Sequence, residues 1–392
     1  MNNASVRGLT RGCHLGMFVF GTVFTMLGAI MPLMLQSRNI NIAEAGSLFF
    51  FLNLGSFAAV LIAGPLVDRN GYKTTLLVSP LLIGFSFTVL ALAQSYVSLT
   101  VACILLGFGG GALNNATNSL ISDLHPEDRT VALNRLGMFF SIGALFIPFL
   151  MGSLLAVLGM KGVLFSATAI AVLAAAAFLF LKFPSAKQRD QLPVGSMLKM
   201  LSHPLVLIMG LLLFFQSGTE YSSSGWISTL FTRGRGLDNR QASWVLALFW
   251  GAVMVARLGV GFWLKRVPEI RFMFFSAFTA ALAWLLMLYS KTLVVQVAGV
   301  FLLGYALAGI FPTALSIMGA RFSQNSGAVF GALFACSTLG GMSVPATIGQ
   351  IALRRGIVTA ISILPLCSAA VGILSRIAAQ QPGKSKRQVD RM

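Results

Sequence analysis

Negative charge is scarce in this 392-residue chain, which has ten Asp and Glu against 28 Lys and Arg, and charged side chains of both signs make up only 10% of it. A soluble globule usually carries about 25% charged residues, so too little polar surface is available to face water all round. With 57% hydrophobic residues, the solvent must be mostly lipid. Histidine and cysteine are also scarce, at three and four. Cys13, Cys103, Cys336 and Cys367 all fall in apolar stretches without the short spacing of a metal site, which makes them packing residues. His14, His125 and His203 fall near helix ends or in loops and are expected to be solvated or to cap. No nucleophile and base pair, metal-ligand cluster or phosphate-cradling glycine loop is present, so no enzyme, metal or cofactor is expected. The formal charge of +18 could point to nucleic acid, but the basic residues sit beside helix ends instead of forming one patch with interleaved aromatics.

What the chain has in quantity is long apolar runs. A helix crossing the hydrocarbon core needs about 20 apolar residues. Twelve stretches meet that length: 12 to 36, 44 to 67, 74 to 95, 97 to 122, 131 to 157 and 162 to 183, then 204 to 231, 242 to 264, 271 to 290, 293 to 318, 327 to 352 and 357 to 378. The expected organisation is an all-α membrane protein with a first bundle over 1–183, a polar linker over 184–203, a second bundle over 204–380 and a basic tail over 381–392. Lys182, Lys187, Arg189, Asp190 and Lys199 mark the linker. Most Lys and Arg fall on the side of the termini, which places both termini in the cytoplasm of a plasma or inner membrane. Arg7 and Arg11 precede the first span, which has no small-residue cleavage site and reads as an uncleaved helix. The tail residues Lys384, Lys386, Arg387 and Arg391 suit contact with anionic lipid.

The two halves resemble each other. The shift of 197 residues that carries Gly21 onto Gly218 also carries Gly28 onto Gly225, Gly64 with Arg69 onto Gly261 with Arg266, Leu105-Leu106-Gly107 onto Leu302-Leu303-Gly304, and Pro148 with Gly152 onto Pro345 with Gly349. Matched Gly and Pro at helix-packing positions are what a duplicated bundle retains. The loop after the second span reads Gly64-Pro65-Leu66-Val67-Asp68-Arg69-Asn70-Gly71-Tyr72-Lys73. This resembles the signature G-x-x-x-D-R-x-G-[YR]-[KR] of the major facilitator superfamily. The resemblance implies two six-helix bundles related by a pseudo-two-fold axis along the membrane normal, with the solute site between them. It also implies a conformational latch formed by Gly64, Asp68, Arg69, Gly71 and Lys73. The second copy has Lys265 where Asp68 stands, so the latch is asymmetric.

A charge inside the bilayer costs at least about 2.5 to 3.5 kcal/mol, so each one needs a reason. Of the acids only Glu220 lies deep within a span. Gln216, Glu220 and Ser223 recur at i, i+4 and i+7 and share a face of helix 7, beside Ser224. Gly218, Gly225 and Ser222 to Ser224 are expected to weaken that helix enough to break it at the site. Helix 4 carries Asn114, Asn115 and Asn118, with Ser122 one turn on; amides both donate and accept, as reading hydroxyl groups requires. Asn134 begins helix 5, and Asn53 lies in helix 2. Arg257 in helix 8 lies nine residues before Arg266, about 13 Å inside the boundary. It needs an anion, either Glu220, the first expectation, or a carboxylate or phosphate on a solute.

The runs Leu113-Asn114-Asn115-Ala116-Thr117-Asn118-Ser119-Leu120-Ile121-Ser122-Asp123-Leu124-His125-Pro126 and Phe139-Phe140-Ser141-Ile142-Gly143-Ala144, with Ala132-Leu133-Asn134 between them and the pattern Glu220 to Trp226, resemble the fucose permease branch of the superfamily, which includes bacterial glucose and mannose permeases. The resemblance implies sugar transport by alternating access, coupled to protons in preference to sodium, by a monomer. Position by position it implies substrate contacts from Asn118, Asn134, Gln216, Glu220 and Trp226, to which the residue reading adds Asn114 and Arg257. Trp226 is best placed to stack on a sugar ring. Fucose permease also uses acids in its first and fourth helices, and those stretches hold no Asp or Glu here, which leaves Glu220 as the candidate proton carrier. Two alternatives stay open: transport of organic anions or amphipathic compounds, favoured by Arg257, 32 Phe and 17 Met, and a membrane receptor or scaffold that does not transport. The intact signature speaks against the last.

Overall fold

The computed structural model describes residues 3–184, 199–264, 266–322 and 326–381, apart from the side chains of 3–4, 61–70, 129–130, 260–264 and 326. Among the described residues the chain is helical throughout, with no strand. Eleven helical runs are long and apolar enough to cross a membrane. One of them, Val131–Leu179, has 49 residues, about 74 Å of helix against a hydrocarbon core of about 30 Å. It cannot be a single straight crossing. Gly159 inside it takes φ 63 and ψ 176, a left-handed turn that only glycine enters readily. The run is thereby two spans, and the total is the twelve expected.

The twelve helices are α1 (Asn3–Ser37), α2 (42–70), α3 (71–92), α4 (Tyr96–Leu124), α5 (129–158) and α6 (160–179), then α7 (Pro204–Thr229), α8 (Asn239–Leu264), α9 (Glu269–Tyr289), α10 (Leu293–Leu307 continued by Ile310–Arg321), α11 (Ser326–Arg355) and α12 (Ile357–Ile361 continued by Ile363–Gln380). Local chemistry sets the starts. Asn41 caps α2 by accepting from the backbone N–H of Ala43 and Glu44 while Glu44 accepts from the N–H of Asn41 at 2.7 Å, a capping box that satisfies otherwise orphaned donors. His203 caps α7 through Leu205 N–H at 3.3 Å, as expected of it. His14 does not lie at a helix end; it is half-buried inside α1, stacked on Phe139 at 4.3 Å.

The expected break in α7 is absent. The helix runs unbroken past Gly218 and Gly225 and widens into a π turn only at Leu230–Gly234. Its glycines serve close approach instead: a Cβ on Gly218 would meet Val344, and one on Gly225 would meet Phe49. The interruption falls in α10, between Leu307 and Ile310.

Three-dimensional contacts repeat at the spacing seen in the sequence. A Cβ on Gly107 would strike the backbone carbonyl of Leu52, and one on Gly304 would strike that of Phe249, the same contact 197 positions on. After α1, Arg38 Nη2 donates to Ala91 O at 2.9 Å; after α7, Arg235 Nη2 donates to Leu288 O at 2.7 Å. These are again equivalent positions, and each arginine satisfies carbonyls at the C-terminal end of α3 or α9 that the helix itself leaves unpaired. Burial pulls the Arg38 pKa below the usual arginine value.

The bundles meet where α1 packs on α7, α2 on α11 and α5 on α8. Contacts are dense on the side away from the termini: Gly28 abuts Ser224, Gly46 abuts Gly349 and Gly152 abuts Trp244. Hydrogen bonds join the halves there too, from Arg233 Nη2 to Leu35 O at 3.3 Å, Asn239 Nδ2 to Gln36 Oε1 at 3.1 Å and Arg240 Nε to Gly152 O at 3.4 Å. On the termini side, the surroundings of Gly64, the side chains of Asp68 and Arg69, Lys265 and most of the 184–203 linker lie outside what the structure describes. Gly71 adopts φ 77, which accounts for the glycine in the signature. Tyr72 beside it donates to Asp123 at 2.7 Å, tying the turn to α4, and Lys73 is exposed.

Candidate functional site

The polar face of α7 is largely engaged in structure. Gln216 Nε2 donates at 3.2 Å to Leu307 O, the carbonyl released where α10 is interrupted, while its Oε1 is buried without a partner. Ser223 donates to Thr219 O one turn back, and Ser224 donates to Phe24 O across the bundle interface at 3.5 Å. Glu220 remains partly exposed, and the polar groups acting on its carboxylate are Arg257 and Gln216.

The expected ion pair of Arg257 with Glu220 is replaced by another arrangement. Arg257 Nη1 donates to Gly137 O and to Ser141 Oγ, both at 3.1 Å, and the guanidinium carbon stands 5.3 Å from the Phe140 ring centroid. The guanidinium is therefore clamped across the bundle interface onto α5, and Glu220 acts on it through space. Trp250 and Arg257, seven residues apart on one face of α8, both meet Phe140 of α5.

Above this pair lies an aromatic cluster that composition alone could not single out. Phe24 of α1 contacts Tyr221 at 4.4 Å and Trp250 at 5.5 Å, and Phe140 of α5 contacts Phe24 at 5.5 Å and Trp250 at 5.8 Å. Three of these four contacts are edge-on, the arrangement that aromatic quadrupoles favour. The cluster draws on both bundles, and Trp250 is fully buried with an unpartnered indole N–H. One sequence signal could have found it, the seven-residue spacing of Trp250 from Arg257.

Trp226 has no ring face open to a solute in this conformation. It is fully buried, lies 5.7 Å from Phe49 and donates its indole N–H to Pro345 O at 3.1 Å, joining α7 to α11. Asn114 and Asn118 are partly exposed and bonded to each other, Asn118 Nδ2 reaching Asn114 Oδ1 at 2.8 Å. Asn134 is exposed at the termini-side start of α5, two turns from Ser141 on the same face. Asn53 donates to Phe49 O and, at 3.3 Å, to Gly341 O of the other bundle. No group of three or more potential metal ligands occurs among the described residues.

A twelve-helix double bundle in which an acid, Glu220, and an arginine, Arg257, both partly exposed, lie where the two bundles meet has the build of a solute carrier. The family model described as Major Facilitator Superfamily matches residues 13–345, and the chain belongs to that superfamily of membrane transporters. It is 23% identical over 365 residues to the glucose/mannose transporter GlcP of Bacillus subtilis (strain 168), covering 88% of this chain and 90% of that one. It is 29% identical over 203 residues to the multidrug resistance protein MdtG of Escherichia coli (strain SMS-3-5 / SECEC), covering 50% of each. Among solved structures, a point mutant of the nucleoside transporter NupG superposes with a TM-score of 0.81 at 13% identity, over 96% of this chain and 99% of that one. A D-xylose-proton symporter gives 0.80 at 14% identity, over 97% and 99%. These last two likenesses are of fold.

Proposed function

We propose that the chain moves a small polar solute of the monosaccharide class across a cytoplasmic membrane by alternating access, with both termini in the cytoplasm and with Glu220 carrying a coupled proton. The observation that carries this reading is the placement of Glu220: an ionisable group in the membrane interior, partly open, next to Arg257 and below an aromatic cluster drawn from both bundles. Sugars are bound by such mixtures, in which aromatic faces take the C–H surface and charged or amide groups take the hydroxyls. The end-to-end similarity to a glucose/mannose transporter supports the same class. Asn114, Asn118, Asn134, Gln216 and Glu220 are its proposed polar contacts, and the signature loop around Asp68 its termini-side latch.

Counterflow in proteoliposomes tests the class: labelled glucose should exchange against internal glucose or mannose and be competed by them. A second reading, export of amphipathic compounds, draws on the likeness to MdtG over half the chain. Competition of the exchange by lipophilic cations, with sugars inert, would favour that reading.

A further inference from the structure

Arg257 is held by only one of its nitrogens. Both of its hydrogen bonds, to Gly137 O and Ser141 Oγ, use Nη1. Nε and Nη2 have no acceptor among the described residues and, unlike the Nε atoms of Arg38 and Arg235, are not sealed from solvent. The pair Nε and Nη2 is the edge of a guanidinium that takes a carboxylate or phosphate in two parallel hydrogen bonds. Its position is set in advance, because Nη1 is anchored on α5 by two hydrogen bonds and the guanidinium carbon stands 5.3 Å from the Phe140 ring centroid. All three of the partners that hold Arg257 are uncharged, so its positive charge is left for something else to meet.

The other charge at the seam is Glu220. Tyr221 follows it on α7, and Arg257 of α8 is the charged group that acts on it. Of the elements packed around α7 and α8, α1 brings His14, which is stacked on Phe139 with the like-charged Arg135 and His125 nearby, and α10 brings Tyr305, whose hydroxyl lies towards Gly259. No acid of α1, α2, α5, α10 or α11 stands against this pair among the described residues. The charge count then decides between solutes. The empty carrier, with Glu220 ionised and Arg257 protonated, is neutral at this site. A neutral sugar arriving with a proton on Glu220 would leave one uncompensated positive charge to carry across the bilayer interior, which is unfavourable. A sugar carrying one negative charge, with the same proton, restores neutrality.

Resting on the sugar reading above, we propose that the free edge of Arg257 receives the carboxylate of the solute, so that the substrate is a sugar acid taken up with one proton as an electroneutral pair. The proton enters on Glu220 and leaves from it on the opposite side, and the anion binds to and leaves Arg257; no covalent bond changes.

The test is counterflow and uptake in proteoliposomes of the full chain, using D-glucose, D-glucuronate and D-gluconate as probes with L-lactate as a carboxylate that is not a sugar. The expected result is that a sugar acid exchanges at least about tenfold better than glucose, as loss of a charge-assisted contact implies. Its uptake follows an imposed pH gradient and is indifferent to a potassium and valinomycin potential. Arg257→Gln removes the preference, and Arg257→Lys, which keeps the charge but not the two-pronged edge, retains part of it; thermal melting of each variant separates loss of binding from loss of fold. Exchange that favours glucose, a preference that survives Arg257→Gln in folded protein, or no exchange of any of the three anions overturns the proposal. Arg257-dependent exchange of lactate with both sugar acids inert would keep the anion site and overturn the sugar reading instead. Glucose exchange without any acid exchange would do the reverse.

Discussion

Trp226 and Trp250 show how a side chain's neighbours decide its role. Both are fully buried, yet Trp226 donates its N–H to Pro345 O whereas the N–H of Trp250 has no partner. Trp226→Phe should therefore lower thermal stability, by about 1 kcal/mol for one lost hydrogen bond, and leave solute affinity in counterflow unchanged. A fall in affinity at unchanged stability would return Trp226 to the binding site. The charged and amide residues of the interior were legible in the sequence because each stands out against an apolar background. The aromatic cluster was not, because Phe24 and Phe140 are two of 32 Phe in a chain solvated by lipid, and only packing separates a site phenylalanine from a lipid-facing one. Charge alone favours pairing Arg257 with Glu220. Backbone geometry decides otherwise, since Gly137 offers its carbonyl and leaves room for the guanidinium above it.

At the scale of helices, the duplicated arginine staples make equal and independent predictions. Arg38→Ala frees a carbonyl at the end of α3, and Arg235→Ala frees those of Met287 and Leu288 at the end of α9. Each should cost about 1 to 3 kcal/mol, and the two losses should add because the sites share no partner. Melting temperatures of the two single variants and the double variant in detergent check both points. Gly159→Ala should be destabilising by about 1 to 3 kcal/mol although open space surrounds the site, because the cost lies in the left-handed backbone. The number and order of helices could be read directly from apolar run length. Their irregularities could not: Gly and Ser in α7 have the composition of a weak point but serve interhelix contact, and the true interruption, at Ala308 and Gly309 of α10, is identified by the Gln216 side chain that satisfies the freed carbonyl.

For the whole molecule, the bundles are pressed together on the side away from the termini, and a carrier that alternates must part them there. Gln36→Cys with Asn239→Cys places two thiols where a cross-bundle hydrogen bond now sits. Oxidation of that pair should stop uptake, and a reductant should restore it; uptake that continues with the crosslink complete would mean that this seam does not open. The central claim is that Glu220 carries the coupled proton between the two open states. It is tested most directly by comparing wild type with Glu220→Gln in proteoliposomes, measuring solute accumulation under an inward pH gradient alongside counterflow at equal pH. Glutamine keeps the size and hydrogen bonding of the site but cannot titrate. The expected result is accumulation abolished with counterflow retained; a Gln variant that still concentrates solute with the gradient would contradict the claim and place the proton on another group.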